Sequence, residues 1–316
     1  MAQGQPETVD KWALAPAIER GISLRRPALG EWSLFLLLAG PNLVLFAVFT
    51  YWPLFYNAYL SLMSWDMISP VKAFVGLENY RYLVSDREFR RVVLNTVIFT
   101  LGTVGGTTGL GLLLALLLNR PLYGRTWARG VIFAPVLLSG AAISVFWVNI
   151  LNPRFGLFAQ VLSWFSLSSP NWLNHPTWAM VAVILVYTWK NVGFSMVIYL
   201  AGLQAIPADL YEAARVDGAG HLGTFRWVTL PQLGPVTLFL LVVSMISSFQ
   251  AFDIIKVMTD GGPVHATTTL LFYIYEQGFV AFNAGRAAAA SVFLFLAMLA
   301  VTVIQLRLGE RRVHYG

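Results

Sequence analysis

Four lysines, four histidines and no cysteine bound the chemistry open to this chain of 316 residues. An ATP-cradling loop needs Gly-Lys followed by Ser or Thr. Lys11, Lys72, Lys190 and Lys256 follow Asp, Val, Trp and Ile, so no such loop exists here. His175, His221, His265 and His314 are isolated from one another and from any metal-ligand spacing, and the lack of cysteine removes disulfides, structural zinc and thiol chemistry. Gly-x-Ser-x-Gly and His-Glu-x-x-His are missing too. The expectation is therefore no catalytic residue, no metal and no cofactor, which leaves non-covalent recognition. Lys190 lies inside a long apolar segment, where an ionisable side chain costs roughly 2.5 to 3.5 kcal/mol and usually faces a cavity. An anionic ligand offsets that cost, since a charge pair at about 4 Å gains about 4 kcal/mol at an effective dielectric near 20. Snorkelling, or pairing with Asp253, would offset it as well. Ser244, Ser247, Ser248 and Ala251 share one helical face, with Gln250 and Asp253 next to it. Such a polar stripe suits a wet cavity or hydroxyl bonding between helices.

The elements that must position these residues are membrane spans. Hydrophobic residues make up 57% of the chain and charged ones 11%, against about 25% charged in a soluble domain. The net charge of +6 serves topology and lipid headgroups in such a chain rather than nucleic acid. Apolar stretches long enough to cross a bilayer, which takes about 20 residues, are expected at 32–55, 92–118, 130–151, 177–203, 235–258 and 287–306. The fourth is expected to be interrupted at Trp189–Gly193. The tail 1–31 is expected either along the inner surface or disordered, with no cleavable signal because the first apolar run is too long. Residues 56–91 are a polar segment in which Phe74 to Leu83 reads as a short external element or an amphipathic interfacial helix. In the second span Gly102, Gly105, Gly106 and Gly109 give two overlapping small-xxx-small pairs, read as helix packing. Residues 152–176 are expected to be an external loop with aromatic anchors, and Thr259 to Thr269 a Gly-Pro turn leading to a short helix through Tyr275 and Glu276.

Between the fourth and fifth spans lies a polar island, Tyr211 to Pro231. Pro207 opens a short helix with Asp209 and Glu212 in its first turns, where acids complement the helix dipole. Gly218 suits the left-handed cap that ends it. A second short helix, Leu222 to Thr229, is expected to stop ahead of Pro231. Two short helices meeting at a glycine make a rigid knob that a partner can push or pull.

The knob carries Glu212, Ala213 and Ala214, then Gly218, then Val228, Leu230 and Pro231. This resembles the cytoplasmic signature of permease subunits of binding-protein-dependent ABC importers, with valine in place of isoleucine as the departure. The resemblance implies an all-α integral membrane protein of six transmembrane helices with the type I ABC importer permease fold. It implies a cytoplasmic tail 1–31, a first helix 32–55, an external segment 56–91, a core 92–306 with coupling loop 207–231, and a cytoplasmic tail 307–316. Glu212, Ala213, Ala214, Asp217 and Gly218 would then couple to a separate ATPase. Lys190 and Asn191, which follow the Trp before the signature, and Ser244, Ser247, Ser248, Gln250, Ala251 and Asp253, upstream of Gly261-Gly262-Pro263, would line the substrate path. Small groups and a lysine stand where maltose-type permeases carry bulky polar contacts. From Gly261 to the C-terminus the chain is most similar to the A-type permease subunits of glycerol-3-phosphate importers, and a lysine suits a phosphate.

The implied partners are a homologous second permease, two ATP-binding subunits, an extracytoplasmic solute-binding protein and membrane lipid, in a bacterial inner membrane with both termini cytoplasmic. Twelve basic residues would then face inward and seven outward, as the positive-inside rule favours. The expected cargo is glycerol-3-phosphate or a related glycerophosphodiester. A neutral oligosaccharide importer is the alternative within this class. An ion-coupled secondary carrier is the alternative outside it, although paired broken helices in inverted repeats are not evident.

Overall fold

A computed structural model describes residues 29–310; the inner-surface placement expected for the tail, and Arg311 and Arg312 at the far terminus, fall outside them. The chain divides at Phe55 into two units. The first holds α1 (Leu29–Phe46), a π-helical turn (Ala47–Tyr51) and the start of α2 (Trp52–Leu60). Leu34, Leu36, Leu37 and Leu38 are all exposed, the pattern of a helix solvated by lipid on every side.

The second unit opens with a two-stranded antiparallel hairpin, β1 (Met63–Ser64) and β2 (Ala73–Phe74), followed by α3 (Glu78–Ser85). Buried Asn79 clamps it by donating to the carbonyls of Ser61 and Met63, both at 2.9 Å. The membrane pillars are α4 (Arg87–Leu118), the bent pair α5 (Arg125–Phe133) and α6 (Gly140–Ile150), then, after the short α7 (Leu157–Trp164), α8 (Pro176–Ala205). The knob follows as α9 (Ala208–Val216), α10 (His221–Thr224) and α11 (Leu230–Gln232). The chain returns through α12 (Gly234–Phe249), the short α13 (Asp253–Met258) and α14 (Leu270–Tyr275), and finally α15 (Ala284–Glu310). Among the described residues four helices are long and apolar enough to cross a membrane, or six spans if each bent pair is one span.

Three expectations change. The fourth span is not interrupted: α8 is one helix of 30 residues. Trp189 to Gly193 contains no proline, so each residue keeps the N–H that the helix needs. The third span is broken, its halves meeting at 106°. Leu138 and Ser139 turn extended there, with ψ of 149° and 134°, just after Pro135. The fifth helix ends at Phe249, and 253–258 is a separate helix. Phe252 between them packs its ring on Phe272 and Tyr275, with centroids at 5.8 and 4.9 Å, a tertiary contact that favours the break. Trp172 lies in the stretch 152–176, expected to be a loop with aromatic anchors. It is 7% exposed and packs edge-on against Phe158 and Trp178.

The most extensive helix pairing is α4 on α8. A Cβ on Gly102 would come 2.9 Å from Ile184, on Gly106 2.9 Å from Thr188, and on Gly111 2.6 Å from the Ser195 Cβ. Gly102 and Gly106 therefore let the backbones approach, as the small-residue spacing predicts. Gly105 and Gly109, the other pair, meet no atom within 4 Å. The threonines beside them are buried at little cost because their hydroxyls donate one turn back, Thr103 to Phe99, Thr107 to Thr103 and Thr108 to Val104, at 2.6 to 2.7 Å. Replacing Gly111 with Val is expected to destabilise the bundle by about 1–3 kcal/mol through overpacking. Gly109→Ala, with open space around it, should leave the thermal midpoint in detergent unchanged.

Candidate functional site: a knob and an intramembrane cavity

The knob is built by its capping. Gly218 sits at φ 79°, the left-handed conformation that glycine adopts without a Cβ clash. The Ala219 N–H then reaches the Ala214 carbonyl at 2.9 Å and the Gly218 N–H the Arg215 carbonyl at 3.1 Å. These are the two bonds of a Schellman cap. The second arm does not stop ahead of Pro231; it continues through a π-helical turn, Phe225–Thr229, into α11, with Pro231 in that helix's first turn, where a missing N–H costs nothing. The Tyr211 hydroxyl lies 3.3 Å from the Thr229 hydroxyl and joins the arms.

Glu212, Ala213, Asp217 and Gly218 are exposed and Ala214 is half-buried. Val216 and Leu222 are 87% and 79% exposed, so the knob presents an acid flanked by apolar groups. Its roots, by contrast, are fixed. Leu203, at the end of α8, and Leu233, at the start of the return, are buried in one cluster with Ala115, Tyr199 and Leu240. The Tyr199 hydroxyl donates to Thr237 at 3.3 Å, and a Cβ on Gly202 would lie 2.9 Å from Val236. An exposed tip on a packed base transmits displacement into α4, α8 and α12, because close-packed interiors have low compressibility.

Between the pillars a cavity of about 210 Å³ is lined by Thr107, Val136, Tyr187, Asn191, Phe194, Ser195, Val243, Ser244 and Ser247. It brings together three residues of the sequence-derived path, Asn191, Ser244 and Ser247. Asn191 donates to the Tyr187 carbonyl at 2.8 Å. Lys190 is half-buried at the midpoint of α8, on the turn beside this cavity but outside its lining. It makes no ion pair or hydrogen bond among the described residues.

The other expected path residues are placed elsewhere. Ser248 is buried and donates to Thr100 at 3.1 Å and to the Met245 carbonyl at 2.8 Å, bonding helices rather than facing the cavity. Ala251 is buried in the apolar cluster of Phe99 and Ile254, and Gln250 is exposed just past the end of α12. The Asp253 carboxyl lies against Gly140 at the start of α6, where any Cβ would clash, and accepts from its neighbour's N–H. The pairing of Asp253 with Lys190 is absent. Sequence reasoning missed Thr107, Tyr187 and Ser195 in the lining. Thr107 belongs to a hydroxyl run on α4 that offered a signal; Tyr187 and Ser195 are reached only through the close approach at Gly106 and Gly111.

Apolar spans with a rigid polar knob at one end and a polar cavity between them define a multi-spanning membrane transport component. The chain belongs to the family described as binding-protein-dependent transport system inner membrane component, whose model matches residues 98–314. It is similar to the sn-glycerol-3-phosphate transport system permease protein UgpA of Agrobacterium fabrum, with 36% identity over 89% of this chain and 96% of the relative. The protein of the same name from Brucella abortus is 37% identical over 88% and 95%. Among solved structures, a chain of a bacterial ABC transporter involved in the import of the acidic polysaccharide alginate matches with a TM-score of 0.77 and 25% identity, over 89% of this chain and 96% of that one. A chain of the alginate transporter bound to its pentasaccharide-loaded periplasmic protein matches at 0.78 and 25% identity, over 91% and 97%. The fold is that of a type I ABC importer permease, as the sequence predicts.

Proposed function

We propose that this chain forms, with a homologous second permease, the translocation path of an importer for glycerol-3-phosphate or a related glycerophosphodiester. An external binding protein delivers the solute. Of two ATPase subunits, one docks on this knob from the cytoplasm, where both termini lie, and the other on the second permease; the chain itself catalyses no reaction. Closure of the ATPases pushes the Glu212 face, and the packed roots carry that motion to α8 and α12, which flank the cavity. Asn191, Ser244 and Ser247 offer neutral hydrogen bonds to a polyol, and Lys190 offers the charge that a phosphate requires. The observation that carries the reading is Lys190: a half-buried cation without a counter-ion among the described residues, on the turn beside a polar cavity, fits an anionic cargo. The relatives named for sn-glycerol-3-phosphate transport support it. Competition uptake in vesicles tests it. Excess unlabelled glycerol-3-phosphate should suppress uptake of labelled glycerol-3-phosphate, while maltodextrin should leave it unchanged. Uptake of labelled maltodextrin in its place would favour the neutral oligosaccharide.

A further inference from the structure

A cavity of about 890 Å³ opens at the knob end, between the last turn of α4, the last turn of α8 and the two arms of the knob. Arg120, just past α4, Arg215, in the last turn of α9, and His221, at the start of α10, line it, with Asn119 and Tyr211 beside them. Among the described residues no carboxylate lines it, and the acids of the knob, Glu212 and Asp217 among them, are exposed outside the cavity. Among the described residues neither arginine has an ion pair, and the arginines stacked on aromatic rings are Arg226 and Arg286. Arg120 and Arg215 are thus two exposed guanidinium groups lining one cavity, neither held in an ion pair among the described residues. A phosphate suits such groups, because its oxygens accept forked, charge-assisted hydrogen bonds from arginine. The two arginines stand on opposite parts: Arg120 continues a membrane pillar, and Arg215 belongs to the knob.

We propose that this cavity is a binding site for a phosphate group, gripped between Arg120 and Arg215 with Asn119 and His221 as further donors, so that the occupant ties the knob to the α4 pillar. A site at the end of a membrane helix meets phosphate from two sources: the headgroup of an anionic phospholipid, or a free phosphate in the aqueous phase. The ligand assigned to the intramembrane cavity plays no part in this binding, so it succeeds or fails independently of the transported solute.

Native mass spectrometry of the assembled transporter separates the sources. In one arm the complex is exchanged into phosphatidylglycerol or phosphatidylcholine; in the other it is titrated with inorganic phosphate, with ATP absent. For a lipid site, phosphatidylglycerol is retained over phosphatidylcholine. For a free-phosphate site, inorganic phosphate binds in a phosphatidylcholine background. In whichever arm binds, Arg120→Gln and Arg215→Gln should each weaken binding on the order of tenfold, the equivalent of one charge-assisted hydrogen bond. Phosphate held by the ATPase subunits is common to wild type and variants and drops out of the comparison. Arg226→Gln, on the knob but outside the cavity, should change nothing. The proposal is overturned if neither probe shows a dependence on both arginines, or if Arg226→Gln weakens binding as much as they do.

Discussion

Gly218→Val is expected to reduce ATP-driven uptake to background while the chain still inserts and pairs. Valine in the left-handed region costs about 1–2 kcal/mol, and relieving that strain by leaving φ 79° breaks both bonds of the cap at Ala214 and Arg215. The tip then loses its fixed angle to the roots, although the roots remain packed around Leu203 and Leu233. ATP hydrolysis measured beside uptake should therefore become independent of solute. Gly218→Asn supplies the internal control. Asparagine tolerates the left-handed conformation better than other side chains, so it should retain most of the uptake. Equal loss in both variants would mean that something other than backbone conformation makes this glycine necessary.

Lys190→Met is expected to lower uptake of a phosphorylated solute by at least tenfold while raising the thermal midpoint. The first effect follows from a charge pair of about 4 kcal/mol at 4 Å in a medium of effective dielectric near 20, nearly three decades before screening by water in the path reduces it. The second follows because an ionisable group at the centre of a span costs roughly 2.5 to 3.5 kcal/mol on insertion scales. Lys190 recovers none of that from a partner among the described residues. Opposite signs distinguish a cargo role from a structural one, since a lysine that held the bundle together would lower stability when replaced. Uptake and a melting curve on the same preparation give both numbers.

Most of the architecture was legible because apolar length and the Glu-Ala-Ala signature are properties of contiguous residues. The cap at Gly218 was legible for the same reason: one glycine at the end of a short helix demands one conformation. The errors have a common physical origin. Gly193 looked like an interruption, but a Cβ there would meet the backbone of Ile132 and Phe133, so it serves close approach inside a continuous helix. The break after Phe249 left no local mark; it goes with rings on another element, Phe272 and Tyr275. Within the serine stripe, periodicity grouped Ser248 with Ser244 and Ser247, yet Thr100 lies within reach of Ser248 and captures its hydroxyl. Helical spacing identifies a face, and the neighbouring helix decides which of its groups remain free for a ligand.

In the proposed function the knob is the point where an ATPase applies force. A cysteine placed at Ala213, exposed beside Glu212, carries a short crosslinker in the assembled transporter. The crosslinker should capture an ATPase subunit, with a yield that changes between the nucleotide-free and ATP-bound states. Capture of no ATPase in either state, or solute movement by the purified chain alone, would contradict that role.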